Sequence, residues 1–197
     1  MIVDLPHSQI SYYDNFWSEI EANLLLQQLK WGIKWQQKNI TLFGKTHLEP
    51  RLTAWYGDEG KVYTYSHITM SPHQWNETLV SVKEKIENFT RFRFNSVLLN
   101  YYRHGKDSMG WHSDNEPELG KNPVIASASF GGERRFLLKP RDKNNPLRQE
   151  IILRHGSLLI MAGETQHYWL HQIPKTSKFV RERINLTFRD IKSDKEN

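Results

Sequence analysis

Phe94-Asn95-Ser96-Val97-Leu98-Leu99-Asn100-Tyr101-Tyr102-Arg103 is where the chain changes character. Before it, apolar residues recur at helical spacing. From it onward they gather in short runs rich in aromatic and aliphatic side chains, as strands require. Upstream, Asp14 is placed to cap a helix across Phe16, Trp17, Ile20, Leu24 and Leu25. Ser71-Pro72 reads as an N-cap with proline at the first helical position, ahead of an apolar stripe through Trp75, Leu79, Val82, Ile86 and Phe89. Downstream, Val124 to Phe130 predicts a second strand, and Gly131-Gly132 a turn into Arg135-Phe136-Leu137-Leu138. Two further strands, Glu150 to Arg154 and Ser157 to Met161, flank His155-Gly156, which reads as a tight hairpin. Arg183 to Arg189 is the last strand. Short strands at near-regular intervals after two helices predict an α+β, mainly β chain: a β-sandwich or jelly roll with N-terminal helices packed on the outside.

Composition narrows the chemistry. The chain has 197 residues, enough for one domain with a substantial core. No apolar run is long enough to span a membrane, and Met1-Ile2-Val3-Asp4-Leu5-Pro6 lacks the basic-then-apolar pattern of a secretory signal. Cysteine is absent, so disulfides, thiolate metal sites and cysteine nucleophiles are excluded together. Any metal must sit on histidine and carboxylate, and a reducing cytosol suits such a chain. Lys and Arg number 27 against 22 Asp and Glu, a net charge of +5. That excess fits a polyanionic partner such as nucleic acid, and it equally fits a mildly basic soluble protein. The seven Trp suit stacking on bases as well as packing in a core.

The chemistry-bearing stretch is Gly110-Trp111-His112-Ser113-Asp114-Asn115-Glu116. His112 and Asp114 are two apart, so in extended chain both side chains project to one face. An imidazole and a carboxylate there can take adjacent positions on a metal. A third ligand completes the facial triad of two histidines and one carboxylate that leaves three positions open on Fe(II). Two candidates, His167 and His171, lie in Thr165 to Pro174, and spacing does not choose between them. In the last strand, Arg183, Asn185, Thr187 and Arg189 share one face, opposite Ile184, Leu186 and Phe188. Such a polar face ordinarily meets solvent. Two arginines and an asparagine also suit a dicarboxylate, because guanidinium meets carboxylate with a planar two-donor fork. Asn100 and Tyr102 share a face of the 94–103 strand and can add hydrogen bonds to that ligand. Iron beside a carboxylate clamp suggests 2-oxoglutarate.

With these residues assembled, the chain resembles the AlkB family of Fe(II)/2-oxoglutarate dioxygenases, nearest the branch that includes the animal DNA-repair homologues. The matching stretches, in order, are Pro50 to Asp58, Asn100-Tyr101-Tyr102, Trp111-His112-Ser113-Asp114, Ile125 to Gly131, His155 to Leu159, Trp169 to Pro174 and Arg183 to Arg189. The resemblance implies a double-stranded β-helix, with Fe(II), 2-oxoglutarate and O2 as the reacting partners. By position it implies iron ligands at His112, Asp114 and His171, and so selects His171 over His167. It places Arg183 on the distal carboxylate of 2-oxoglutarate with Asn100, Tyr102 and Asn185 nearby, and Arg189 near the metal-side carboxylate.

The resemblance also implies a nucleotide-recognition region at about residues 40–70 and a catalytic core at about 94–190 of one domain spanning 1–197. In the first, Tyr63, Tyr65 and Ser66 align with a lid bordering a flipped base. Phe43 aligns with a wedge that fills the gap left in a duplex, and an ordinary buried aromatic is its equal alternative. Glu116 aligns with a pocket carboxylate that attracts a cationic methylated base, whereas Asn115 stands where a close relative has Asp. Arg51, Lys45 and Arg103 are the expected phosphate contacts.

The implied reaction converts 2-oxoglutarate to succinate and CO2 while an N-methyl group leaves as formaldehyde. Its implied substrates are 1-methyladenine and 3-methylcytosine in DNA, with RNA as a further candidate. The expected form is a monomer with no membrane attachment, in cytoplasm with the nucleoid, or in the nucleus of a eukaryote. The competing readings are an oxygenase of the same chemistry acting on RNA, protein or lipid, a catalytically silent nucleic-acid-binding module, and a cupin-like isomerase or storage protein.

Overall fold

A computed structural model describes residues 1–42, 45–60, 63–65, 68–70 and 72–192. Its larger sheet holds seven strands in the order β1 (Ile2–Val3), β2 (Gln9–Tyr13), β13 (Ser157–Ala162), β10 (Ile125–Gly131), β15 (Arg183–Arg189), β8 (Ser96–Tyr102) and β5 (Leu52–Gly57). Its smaller sheet holds four, in the order β12 (Gln149–Leu153), β11 (Arg134–Pro140), β14 (Trp169–Ile173) and β9 (Met109–His112). Two short hairpins, β3 (Asn39–Leu42) with β4 (Lys45–Leu48) and β6 (Tyr63–Tyr65) with β7 (Ile68–Met70), lie outside these sheets. All the strand ladders are antiparallel.

The glycine corners explain why there are two sheets. His155-Gly156 does not close a hairpin, because β12 pairs with β11 and β13 pairs with β10. Segments 125–140 and 149–162 run antiparallel as one ribbon, and the chain reverses at 141–148. Halfway along, both arms bend from the larger sheet to the smaller at Gly131-Gly132 and His155-Gly156. The bends hold each other: Gly131 N–H donates to His155 Nδ1 at 2.8 Å, and Gly156 N–H to Ser129 O at 2.9 Å. Gly131 has φ +96°, and a Cβ there would stand 2.3 Å from Glu182 O, so no other residue fits.

Core residues form two layers. Val3, Tyr102, Ile125, Leu159, Phe136, Leu138, Leu153 and Trp169 pack between the sheets. On the other face of the larger sheet, Ala128, Phe130, Ile184, Leu186 and Phe188 pack under two helices, α1 (Glu19–Gly32) and α2 (Glu77–Thr90). The strand alternation read from Arg183 to Arg189 therefore holds, but both faces of β15 are buried. Its apolar face meets the helices, and its polar face lines a pocket between the sheets.

Both helices begin later than their sequence suggests. α1 is capped by Ser18, which forms a reciprocal box with Glu21, while Asp14 is engaged by Arg154 at 2.6 Å. The box satisfies two orphan donors at once, which a lone Asp cannot. That start turns Ala22, Leu25 and Leu29 inward and leaves Ile20 and Leu24 exposed. α2 is capped by Asn76, whose Oδ1 accepts the Leu79 N–H at 2.9 Å. Pro72 lies upstream of it, because His73 is held extended by hydrogen bonds with Trp55 and Gly57. Leu79, Val82 and Ile86 are buried as expected, whereas Phe89 stays half exposed against Tyr13 and Phe16. Among the described residues no helix is long and apolar enough to cross a membrane.

Candidate active site

β9 and β14 are neighbours, and their register sets His112 directly opposite His171. Cross-strand partners bring their side chains close, and these two rings stand 4.2 Å apart. Asp114 follows just past the end of β9, with its backbone N–H held at 2.9 Å by Gln166 Oε1. Gln166 belongs to a single helical turn, α3 (Thr165–Tyr168), that turns Gln166 fully inward and His167 outward. His112, Asp114 and His171 each offer one ligand atom, all within 4.8 Å of one another. His167 is exposed and takes no part in this group.

Local bonds orient these groups. His112 Nδ1–H donates to Gly110 O at 2.9 Å, which leaves the Nε2 lone pair outward for a cation. Arg189 Nη2 donates to Asp114 Oδ1 at 2.5 Å, and Oδ2 faces His171 Nε2 at 3.7 Å. Burial works to raise the Asp114 carboxyl, but the Arg189 guanidinium, the largest opposing influence, holds it well below the usual carboxylate range. Burial, with His112 and Arg189 beside it, pushes His171 down to about 3. The contact at 3.7 Å is therefore between a carboxylate and a neutral imidazole. It is not an ion pair.

The arginine face lies alongside. Arg183 pairs across the sheet with Tyr102, and Asn185 with Asn100. Arg183 is 1% exposed. One of its nitrogens donates to Ser129 Oγ at 2.9 Å, while Nε and Nη1 are buried with no partner among the described residues. Burial lowers it to about 10, so it stays charged at neutral pH. A buried cation in this state calls for an anion. Asn185 is engaged within the sheet, donating to Ser127 Oγ and Ala128 O and accepting from Thr187 Oγ1. It shapes the pocket wall through its neighbours. Asn100 accepts from Arg51 Nε at 2.7 Å.

Several expected substrate contacts take other positions. Arg51 is 5% exposed and bonds to Asn100, Ser108 O and Glu49, so it lines the pocket instead of meeting phosphate outside. Arg103 is turned onto Asp107, with contacts at 2.8 and 3.0 Å. Glu116 lines the pocket, and its Oε2 is buried with no partner among the described residues. Asn115 is exposed and accepts from Ser113 Oγ, away from the lining. Phe43 and Ser66 lie outside the described residues. So do the side chains of Lys45, Tyr63 and Tyr65, whose backbones form strands. Glu49 and Gln166 went unread in the sequence. Glu49 and Arg51 are two apart and pointed to a pair, whereas nothing local marks Gln166.

The donor set of two nitrogens, one oxygen and no sulfur fits Fe(II), and the Arg183 guanidinium, with Nε and Nη1 unpaired among the described residues, fits a carboxylate. A double-stranded β-helix carrying both in one pocket defines the class of Fe(II)/2-oxoglutarate oxygenases. The model of the 2OG-Fe(II) oxygenase superfamily matches residues 9–189. The human alpha-ketoglutarate-dependent dioxygenase alkB homolog 3 is 44% identical over 195 residues, covering 95% of this chain and 68% of its own length. The bovine DNA oxidative demethylase ALKBH2 is 38% identical over 188 residues, covering 91% of this chain and 68% of its own. A solved structure described as that of OsALKBH1 shares the fold, with a TM-score of 0.62 at 17% identity over 96% of this chain and all of that one. The chain belongs to the AlkB family of 2-oxoglutarate- and Fe(II)-dependent dioxygenases, and spans about two thirds of the length of its human and bovine relatives.

Proposed function

We propose that this enzyme is an oxidative demethylase of N-alkylated nucleobases in nucleic acid, with Fe(II) on His112, Asp114 and His171. The observation that carries the reading is one pocket lined by His112, Asp114 and His171, by Arg183 with two nitrogens unpaired among the described residues, and by Glu116 with Oε2 likewise unpaired. The named activity of the ALKBH2 relatives supports the substrate class.

When bound, Fe(II) would let O2 act as the oxidant: one oxygen atom would go into 2-oxoglutarate as it becomes succinate and CO2, and the other into an N-methyl group, whose carbinol would release formaldehyde. The chain's own residues arrange the partners. Arg183 and the Tyr102 hydroxyl would hold the distal carboxylate of 2-oxoglutarate. Arg189 fixes one Asp114 oxygen and would offer positive charge to the metal-side carboxylate of 2-oxoglutarate. Glu116 offers a buried negative charge to a base that methylation has made cationic. Such a base pairs poorly, so its extrusion from the stack is cheap. The net charge of +5 favours the polyanionic substrate.

Incubation with Fe(II), 2-oxoglutarate, ascorbate and a 1-methyladenine oligonucleotide, single- or double-stranded, tests this. The expected result is unmodified adenine and succinate in equal amounts. Succinate without base repair on any methylated DNA or RNA would overturn the substrate assignment, and absence of succinate would overturn the site.

A further inference from the structure

Arg134 carries no motif, yet it stands where two parts of the site meet. It opens β11 and is 3% exposed. Its Nη2 donates to two backbone carbonyls, Asp107 O at 2.9 Å and Pro174 O at 2.6 Å. Asp107 precedes β9 and Pro174 follows β14, so one guanidinium ties the ends of the strands that carry His112 and His171. Its Nη1 is buried with no partner among the described residues.

The same guanidinium lies over the Tyr102 ring, 5.5 Å from its centroid, and Arg183 lies 5.2 Å from that centroid. The neighbouring Asp107 carboxylate is taken by Arg103, through its backbone N–H and two side-chain nitrogens. Two buried guanidiniums thus share one phenol ring, and neither forms an ion pair among the described residues. Like charges at this range repel in a medium of low dielectric constant unless an anion joins them. Cations over its ring also make the phenol a stronger hydrogen-bond donor toward such an anion.

We propose that Arg134 is a positioning residue that sets the preference for a 2-oxo acid with a distal carboxylate, acting through Tyr102 and Arg183. It supplies the second positive charge that a monocarboxylate leaves unanswered. This rests on the assignment of 2-oxoglutarate to the Arg183 pocket.

Calorimetric titration of Mn(II)-loaded protein with 2-oxoglutarate and with 2-oxobutyrate, which lacks the distal carboxylate, separates the possibilities. Arg134→Gln keeps a donor but removes the charge. It should weaken 2-oxoglutarate by about tenfold, the order expected for one charge acting over several ångströms, and leave 2-oxobutyrate unchanged. Arg134→Lys keeps the charge and should stay within about threefold of the parent. The proposal is overturned if Arg134→Gln binds 2-oxoglutarate as the parent does, if it loses both acids in proportion, or if Arg134→Lys falls equally far. Arg183→Gln tests the assignment beneath it: unaltered 2-oxoglutarate binding there removes the cosubstrate from this pocket. Loss in Arg183→Gln with none in Arg134→Gln removes only the role given to Arg134.

Discussion

Arg189 Nη2 stands 2.5 Å from Asp114 Oδ1, and that contact leaves Oδ2 to face His171. A carboxylate with one oxygen pinned by a guanidinium presents the other in a fixed direction, which a metal ligand needs. Arg189→Met should release it. Asp114 is held below its usual range in the folded protein, so its charged form persists above that range and is lost only as pH falls well below it. Without Arg189 the loss comes earlier on acidification. The acid limb of Co(II) binding should move up by about one pH unit or more, and an unmoved limb would show that Arg189 does not tune the ligand.

His112→Ala, Asp114→Ala and His171→Ala should each abolish stoichiometric metal binding and turnover. His167→Ala should leave both unchanged, because that ring is exposed. Metal content by atomic emission decides, and loss in His167→Ala with retention in His171→Ala would reverse the ligand assignment.

Glu116→Gln removes charge and keeps shape. It should lower kcat/KM for a 1-methyladenine oligonucleotide by about tenfold, the scale of one hydrogen bond to a charged group. Succinate formation without nucleic acid should be unaffected. Equal loss in both assays would mean that Glu116 supports the fold rather than the base.

The metal-free protein should lose stability in mild acid. His171 is buried and pushed down to about 3, while the unfolded chain takes up that proton near pH 6.5. Between those values the unfolded state binds the extra proton, so stability falls as pH falls, by about 1 kcal/mol per unit. Urea unfolding at pH 7 and pH 5 measures it, and His171→Gln should flatten the slope.

Gly131→Ala should destabilise by more than about 2 kcal/mol, since it combines positive φ with backbone overlap. Gly110→Ala, with open space around it, is the matched control. Similar melting temperatures for the two would mean that the corner relaxes without strain.

Legibility in the sequence tracked how local the physics is. β15 was readable residue for residue, since period-2 alternation is local and both its faces do distinct work. The His155-Gly156 corner was misread because a glycine bend looks the same whether its arms pair with each other or with two other strands. Helix starts were misplaced because several residues can cap, and the choice depends on what else engages them: Asp14 had Arg154. His171 was preferred over His167 by resemblance alone, since the β9–β14 register that sets it opposite His112 pairs residues too distant in sequence to read locally. Arg134 and Gln166 stayed hidden, since their partners lie 27, 40 and 52 positions away.

The last strand among the described residues lies in the interior of the larger sheet. β15 lies between β10 and β8, and without it that sheet divides into β1-β2-β13-β10 and β8-β5. A ribosome must therefore deliver residue 189 before the sheet can join. Pairings over such sequence distance close slowly. The arm that brings Arg183 and Arg189 is also the arm that joins the two parts of the larger sheet. A chain cut short before β15 therefore keeps both histidines and the aspartate but lacks the strand that sets Arg183 and Arg189 in the pocket beside them.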